Sequence, residues 1–205
     1  KLLTLTVPGV PDLYQGTERW DLSLVDPDNR RPVDFDRYRR LSHLGADGPA
    51  DPADVDGMAG SWRDGAIKQY LVTRILTFRK DHSDLFAKGT YTPLNVTGVR
   101  KDNIIAFIRS LEQQRVIVVV PRLIHHGVVH EAGDYRPLRF SPDFWEDTAV
   151  ELPEEANTKW TPLLDSRLPE TSITERGMGL RVAPLLQHFP MSVLASVPVN
   201  REDHP

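Results

Sequence analysis

The sequence contains no cysteine. This absence excludes disulfide bonds, thiolate zinc sites, iron–sulfur clusters and cysteine nucleophiles. The chain also lacks a large excess of either charge, because 25 Lys and Arg residues stand against 29 Asp and Glu residues and give a net charge of −4. A chain with this balance has no positive field that gathers phosphates, so we expect no nucleic-acid partner.

Long apolar runs are missing as well. The longest, Val116 to Val120, ends at Pro121 and is far shorter than the about 18 residues of a membrane helix, so we expect no membrane partner. No signal-peptide pattern opens the chain, and a cytoplasmic location is the default expectation. The chain begins at Lys1 rather than Met, and its 205 residues suit one core with an appendage, so we interpret it as part of a longer protein.

The N-terminal part mixes short apolar segments with a long polar loop. Leu2 to Val7 can be the end of a helix or of a strand, and Val10 to Tyr14 has the pattern of a short buried strand. A polar loop from Gln15 to Pro32 follows, rich in groups that form directional hydrogen bonds, and binding sites often lie in such loops. Phe35 to Leu44 then has the spacing of an exposed amphipathic helix.

Two further segments precede residue 83. Gly45 to Gly60 collects proline, aspartate and glycine, which predicts a flexible linker. Ala66 to Lys80 places apolar residues at helical spacing, Asp64 can cap its start, and its last residues are basic, which suits the C-terminal end of the helix dipole. We therefore predict a helix over residues 66–80 that buries one face.

Beyond Lys88 the pattern changes to short β-rich runs separated by Gly, Pro and Asn. The predicted strands are Thr90 to Val96, Ile104 to Arg109, Arg115 to Val120, Thr148 to Leu152, Leu180 to Val182 and Ser192 to Val197. The second and third form the clearest hairpin, and the uniformly apolar third strand predicts a central position with both faces covered. We expect these strands to form an antiparallel β-sandwich.

A histidine-rich segment is a candidate metal site. His125, His126 and His130 lie close to Glu131, and imidazole and carboxylate groups are zinc ligands. The glutamate of a zincin motif is missing from between the histidines, however, and the neighbouring Gly127 and valines favour a loop or strand. We therefore favour a solvated loop for the histidine segment.

The chain also lacks a nucleophile elbow, a P-loop and a dinucleotide fingerprint, so the enzyme classes that depend on these motifs are not expected.

Acidic residues of the polar loop leave glycoside chemistry open. Glu18, Asp21, Asp26 and Asp28 could supply a carboxylate pair, although proximity in sequence does not set the roughly 5 Å separation that a retaining site needs.

A longer motif also indicates glycoside chemistry. Residues 8–18 read Pro-Gly-Val-Pro-Asp-Leu-Tyr-Gln-Gly-Thr-Glu. This segment resembles the Pro-Gly-x-Pro-x-x-Tyr-x-Gly-x-Glu pattern at the eighth strand of the α-amylase family of glycoside hydrolases and transglycosylases.

The continuation narrows the resemblance within that family. Residues 20–34, which include Asp-Pro-Asp-Asn-Arg-Arg-Pro at 26–32, are similar to the maltooligosyltrehalose synthases. Segments 64–68, 76–79, 85–94 and 118–122 look like the carboxy-terminal third of the same enzymes. The resemblance therefore covers most of the chain and is weakest at residues 45–60 and 123–144.

The resemblance implies a reaction, a fold and a partner. The reaction is an intramolecular transglycosylation that converts the reducing-end α-1,4 link of a maltooligosaccharide into an α,α-1,1 link, with no metal or organic cofactor. The fold is the last fragment of a (β/α)8 barrel over residues 1–82, followed by an antiparallel β-sandwich over residues 83–205. The family's three catalytic carboxylates lie upstream of the matched motif, so we expect no catalytic residue in this chain and expect the upstream catalytic barrel as its partner.

Candidate substrate-binding residues lie in the polar loop. Arg30 and Arg31 come first, because guanidinium groups can hold sugar hydroxyls or orient catalytic carboxylates at the C-terminal face of a barrel. The alternative is that both arginines only pair with the neighbouring aspartates, such as Asp28, and fix the loop. The remaining candidates are Tyr14, Gln15, Trp20 and Asp28.

A second function from a different class stays open on the residues alone. The β-rich part could be a freestanding module that binds α-glucan without catalysis. Exposed aromatic rings, such as those of Trp145 or Trp160, would then be the platforms on which glucose units stack.

Overall fold

The structure is a computed structural model that describes residues 1–23, 32–39, 48–131, 134–141, 143–153, 159–175 and 177–196. The helices in this part of the chain are α1 (Leu2–Thr6), α2 (Phe35–Arg39), α3 (Pro52–Gly60), α4 (Ala66–Asp81), α5 (Ser83–Lys88) and α6 (Val182–Leu185). Short 3-10 turns lie at Trp62–Asp64, Lys101–Asn103 and His125–Gly127. None of the described helices combines the length and the apolar character that a bilayer crossing requires.

The strands occupy the second half of the chain. They are β1 (Thr90–Pro93), β2 (Val96–Thr97), β3 (Ile104–Leu111), β4 (Gln114–Pro121), β5 (Val128–Glu131), β6 (Asp134–Phe140), β7 (Ala149–Glu151), β8 (Thr161–Pro162), β9 (Thr171–Thr174), β10 (Gly177–Arg181) and β11 (Ser192–Ser196). The sheet orders are β1-β3-β4-β11-β8, β2-β7-β10-β9 and β5-β6. Every strand pair in these sheets is antiparallel, so the predicted mixture of helix and antiparallel sheet is confirmed.

Strand β4 lies at the centre of the five-stranded sheet, and both of its faces are covered. Val116 and Val118 belong to a hydrophobic cluster with helices α1, α3, α4 and α5. Ile117 and Val119 point the other way, into a second cluster with residues of the four-stranded sheet such as Val150. All four β4 side chains are fully buried, as the uniformly apolar pattern predicted.

Helix α4 is the main helix of the first cluster. It runs from Ala66 to Asp81 and so confirms the predicted helix, and the Asp64 carboxylate accepts a hydrogen bond from the Ala66 backbone N–H at 2.7 Å. The Tyr70 hydroxyl donates to the Leu164 carbonyl at 2.9 Å and accepts the Ala50 N–H at 2.8 Å. These bonds attach α4 to two distant parts of the chain. The predicted domain boundary at residues 82 and 83 stays a prediction.

The predicted flexible linker at residues 45–60 is wrong for its second half, which forms helix α3. Pro52 occupies the first turn, where a missing N–H has no helical partner to lose. Val55, Met58 and Ala59 then fall on one face and are buried in the first cluster. Proline, glycine and aspartate dominated the composition of this segment and concealed three apolar residues at helical spacing.

The predicted buried strand from Val10 to Tyr14 is also wrong. The structure has no strand there, and the Val10 side chain is 97% exposed. Gly9 has a φ of +127°, and Pro11 has no N–H to donate to a sheet. Leu2–Thr6 is a helix, which resolves the ambiguity of that first segment. The predicted helix at 35–44 is confirmed over Phe35–Arg39, and its remainder lies outside the described residues.

Asp165 is a mostly buried carboxylate close to α4. Burial raises its pKa above the ordinary value, and the Arg167 backbone N–H, which Asp165 accepts at 2.9 Å, opposes that shift. The folded state therefore holds this proton more tightly than the unfolded state. Its contribution to stability is present below the unfolded pKa of about 3.9 and is lost as pH rises through the folded pKa.

We expect Asp165→Asn to raise the melting temperature at pH 7, because an amide has no charge to desolvate and its oxygen can still accept the Arg167 N–H. The gain should shrink as pH falls towards 4, because the raised pKa makes the wild-type carboxyl take up its proton more readily in the folded state than in the unfolded state. Melting curves of both proteins between pH 4 and pH 7 measure this difference. Asp102→Asn, at an exposed position, is the matched control and should give the same curve as the wild type throughout. A gain that is independent of pH would contradict the assignment.

Candidate functional site

An open cleft of about 420 Å³ lies between the loop after α1 and the segment that leads into α2. This volume is within the roughly 300–1,000 Å³ typical of small-molecule sites. Its polar lining residues are Gln15, Asp21, Ser23, Asp34, Arg37 and Tyr38. Trp20 and Leu22 add apolar surface. The cleft therefore offers hydrogen-bond donors, acceptors and an aromatic ring together.

A tight turn forms one wall of the cleft. Gly16 has a φ of +84°, and a Cβ at this position would lie 2.8 Å from Val33 Cγ2, so only glycine fits. The Thr17 hydroxyl donates to the Tyr14 carbonyl at 2.6 Å. The Tyr38 hydroxyl donates to the Gly16 carbonyl and connects this turn to α2 across the cleft.

Trp20 is a fixed and partly exposed aromatic ring. Its indole N–H donates to the Trp62 carbonyl, and the two indole rings meet edge to face with centroids 6.4 Å apart. The Lys68 ammonium lies 5.4 Å from the Trp20 ring centroid and donates to the Arg19 carbonyl. These contacts hold the ring in place while 42% of the residue surface remains exposed.

Helix α4 positions both walls through a buried polar chain. The Arg19 Nε donates to Gln69 Oε1 at 2.8 Å, and Gln69 Nε2 donates to the Tyr38 carbonyl at 2.8 Å. Arg19 and Gln69 are both buried. Gln69 therefore joins the loop that carries Trp20 to the helix that carries Arg37 and Tyr38.

The α2 side of the cleft supplies hydrogen-bond donors. Asp34 Oδ1 accepts the Arg37 backbone N–H at 3.1 Å, which caps the start of α2. The Arg37 guanidinium donates to the Asp64 carbonyl at 3.3 Å and borders the cleft. Burial, followed by the Glu18 carboxylate, raises the pKa of Tyr38, so this hydroxyl stays protonated at neutral pH.

Two of the predicted site residues lie in this cleft and one lies beside it. Gln15 and Trp20 line the cleft. Tyr14 is exposed, and its carbonyl is used by the turn. The other predicted residues, Asp28, Arg30 and Arg31, lie outside the described residues and stay predictions.

Sequence reasoning missed Arg37 and Tyr38, because residues 35–44 were interpreted only as an exposed amphipathic helix with no part in a site. The available signal was Asp34, three residues before Arg37, because a capping carboxylate at that spacing marks where the helix begins. A helix that begins at this position places its first turn next to the loop that precedes it. The first residues of α2 therefore belong to the same site as Gln15 and Trp20.

The histidine segment has the backbone that the sequence favoured. His125–Gly127 is a 3-10 turn, and β5 follows it. The rings of His125 and His126 lie edge to face with centroids 5.4 Å apart. Within the described ranges no group of three or more His, Asp or Glu side chains is arranged to hold a metal ion. The side chains of His130 and Glu131 lie outside the described residues.

The alternative that Trp145 or Trp160 is an exposed platform for sugar is wrong, because both indoles are buried in the second hydrophobic cluster. Trp145 packs against Phe140 and Phe144 with ring centroids 5.0 and 4.8 Å away. The large aromatic area of tryptophan makes this core role the usual one. Among the described residues, the exposed aromatic rings are instead Trp20, which lines the cleft, Tyr14, Phe35 and Tyr91 of β1.

Comparisons with known proteins agree on one relationship. No protein-family model matches the chain. Curated proteins of two Mycobacterium tuberculosis strains, CDC 1551 / Oshkosh and ATCC 25618 / H37Rv, are each named putative maltooligosyl trehalose synthase. Each is 34% identical to this chain over 164 residues, which is 80% of this chain and 16% of the relative.

Solved structures extend the comparison to the fold. Maltooligosyltrehalose synthase from Arthrobacter ramosus matches with a TM-score of 0.64 and 33% identity over 96% of this chain and 21% of its own. A further crystal structure titled maltooligosyl trehalose synthase matches in fold with a TM-score of 0.59 at 23% identity. The chain thus spans about a fifth of the proteins it matches. On sequence and fold together, the chain belongs to the maltooligosyltrehalose synthase family.

Proposed function

We propose that this chain is the carboxy-terminal part of an enzyme that converts the reducing-end α-1,4 link of a maltooligosaccharide into an α,α-1,1 link by intramolecular transglycosylation. The observation that carries this proposal is the 34% identity over 80% of the chain to relatives of that name. In this proposal residues 1–82 are the end of the catalytic barrel, and residues 83–205 are the β-sandwich that follows it. A cytoplasmic location stays a prediction.

The two carboxylates of the cleft support a binding role rather than a catalytic one. Asp34 accepts the Arg37 backbone N–H, and Asp21 Oδ1 accepts the Ser23 backbone N–H at 2.9 Å. Both are therefore engaged in shaping the loop. A retaining glycoside site needs a nucleophile and an acid/base group about 5–5.5 Å apart. We propose that the upstream catalytic barrel supplies these groups and that this chain supplies none.

The proposed role of the cleft is to hold glucose units against the catalytic groups. Half-exposed Trp20 can stack on the apolar face of a glucose ring, and Gln15, Arg37 and Tyr38 can exchange hydrogen bonds with its hydroxyls. Arg30, Arg31, Asp28 and Tyr14 complete the proposed set on the strength of the sequence alone. The reaction redistributes existing glycosidic bonds, so the proposal requires no metal or organic cofactor.

The complete product of the gene that encodes this chain tests the proposal. Incubation with maltohexaose should remove reducing ends without releasing an equal amount of glucose, because the terminal link is rearranged rather than cleaved. Residues 1–205 alone, shown to be folded and free of the longer enzyme, should leave reducing ends unchanged. A complete product that hydrolyses maltohexaose, or leaves it untouched, would contradict the proposed reaction. Conversion by residues 1–205 alone would contradict the placement of the catalytic groups.

The freestanding α-glucan-binding module makes the opposite prediction for the same experiment. A module of that kind binds maltohexaose but never converts it, whichever length of product is purified. Its original support is gone, because the tryptophans that would have been its platforms are buried. The catalytic assay on the complete product therefore separates the two functions.

A further inference from the structure

A groove of about 740 Å³ lies on the outer face of the four-stranded sheet and shares no lining residue with the cleft. The strand register explains its place. Val96, Val150 and Leu180 are register neighbours on one face, and Val150 and Leu180 are fully buried in the second cluster. The alternate positions Thr97, Ala149 and Arg181 therefore point outwards, and all three line the groove.

Small residues make this outer face concave. Thr97 and Ala149 are direct partners across β2 and β7, and Ser172 and Thr174 occupy the same face on β9. Between them, a Cβ on Gly179 would lie 2.6 Å from the Thr174 methyl carbon. The floor of the groove therefore presents hydroxyl groups and short apolar side chains rather than long ones.

Charged groups of both signs form the rim. Lys101 and Arg181 are balanced by Asp147 and Glu175. Asp147 Oδ1 accepts the Val99 N–H at 2.9 Å, and Arg181 lies 3.8 Å from Glu170. Among the described residues, no hydrogen bond or ion pair involves the Lys101 ammonium or the Glu175 carboxylate. One strong donor and one strong acceptor are thus free at the groove.

A buried carboxylate holds a further polar group in position. Glu151 is only 7% exposed although it lies on the outward-facing side of β7, and its Oε2 accepts the Asn95 side-chain N–H at 2.6 Å. Asn95 lines the groove. The amide of Asn95 is therefore held in one orientation before any ligand arrives, which lowers the entropic cost of binding.

We propose that this groove is a second carbohydrate site, which binds a segment of an α-1,4-glucan outside the cleft. Opposite charges on the rim cancel, so an ionic ligand such as a phosphate gains no net attraction there. A hydroxyl group both donates and accepts, and it suits a surface that offers free donors and acceptors side by side. The volume fits a ligand of two or three rings. The choice of the α-1,4-glucan among neutral sugars rests on the proposed function.

Nuclear magnetic resonance on the 205-residue chain tests this site directly. Titration with maltoheptaose should shift backbone amides of β2, β7 and β9 saturably. The double variant Lys101→Ala/Glu175→Ala removes the free donor and the free acceptor without changing net charge, and should weaken this binding by at least about 10-fold. The matched control is Lys88→Ala/Asp84→Ala, which removes an exposed ion pair on α5 and also leaves net charge unchanged. It should bind as the wild type does.

Several results would overturn the proposal. These are the absence of saturable shifts in the groove, unchanged binding in Lys101→Ala/Glu175→Ala, or groove binding of inorganic phosphate or a capped neutral peptide that is at least as tight. Trp20→Ala separates the two sites, because it should weaken shifts at the cleft and leave those at the groove unchanged. Groove binding is measured without catalysis. An active complete enzyme whose groove ignores maltoheptaose would refute the groove alone, and a groove that binds in an inactive enzyme would refute the proposed reaction alone.

Discussion

Arg109→Ala is expected to lower the free energy of unfolding by about 3–5 kcal/mol. Arg109 is 1% exposed, and among the described residues its guanidinium has no carboxylate partner. Its hydrogen bonds go to the carbonyls of Thr6, Leu85, Phe86, Gly89 and Thr90, at 2.9 to 3.4 Å. The carbonyls come from the ends of α1 and α5 and from β1. One cation therefore joins three elements to β3.

The cost of losing Arg109 comes from the groups that it leaves behind. Carbonyls in the last turn of a helix have no partner within the helix, and the negative end of the helix dipole favours a cation there. Burial lowers the pKa of Arg109, and the nearby Arg79 lowers it further, yet an arginine stays charged at neutral pH. The Leu85 carbonyl also accepts the Gly89 backbone N–H, but alanine would remove the guanidinium donor from the other four carbonyls, and a buried carbonyl without a donor is a substantial penalty.

Urea denaturation at pH 7 measures this effect. Arg109→Lys keeps the charge but reaches fewer carbonyls, so its stability should lie between those of the wild type and Arg109→Ala, and it provides a value if the alanine variant does not fold. Arg122→Ala is the control, because Arg122 is an exposed arginine at the end of the same hairpin, and it should change stability by less than about 0.5 kcal/mol. A loss of less than about 1 kcal/mol in Arg109→Ala would show that water replaces the guanidinium.

Arg109 also shows which parts of the fold were predictable from sequence. The hairpin of β3 and β4 was predicted because its alternating and continuous apolar runs follow from local periodicity. The role of Arg109 could not be predicted, because its hydrogen-bond partners lie about 20 residues away in sequence and, for Thr6, 103 residues away. A strand-end arginine gives no local sign of being buried. Hydrogen bonds between distant segments are a property of the assembled fold.

Segments with few apolar residues were the least predictable. Helix α3 was taken for a linker because Val55, Met58 and Ala59 are a minority among proline, glycine and aspartate, although three well-placed residues suffice to bury one face. Strands β8 and β9 were missed for a related reason, since two- and four-residue strands give too short a pattern. Their pairing partners, β11 and β10, determine that they are strands.

The candidate site was half predictable. Gln15 and Trp20 were identified through a family resemblance and lie in the cleft, whereas Arg37 and Tyr38 reach it only because α2 folds back over the Gly16 turn. The position of α2 over this turn depends on the hydrogen bond from the Tyr38 hydroxyl to the Gly16 carbonyl, 22 residues earlier in the sequence. Local patterns do not encode such a contact, so a helix with charged residues was assigned to solvent.

Trp20→Ala in the complete enzyme is expected to lower kcat/KM for maltohexaose by about 30-fold or more, which corresponds to about 2 kcal/mol. Trp20 lines the cleft with a partly exposed indole ring, and its contacts with Trp62 and Lys68 hold this ring in one orientation. A preordered aromatic surface contributes much binding energy at little entropic cost. Alanine removes that surface, so a glucose ring would lose its stacking partner.

Two further variants distinguish a binding role from a structural one. Trp20→Phe keeps an aromatic face and loses only the N–H bond to the Trp62 carbonyl, so it should retain most of kcat/KM. Tyr91→Ala is the matched control, because Tyr91 is 41% exposed, close to the 42% of Trp20, but lies on β1 outside the cleft. It should leave kcat/KM unchanged. If Trp20 served only stability, Trp20→Ala would melt at a lower temperature yet keep its kcat/KM wherever it remains folded, and that result would remove Trp20 from the site.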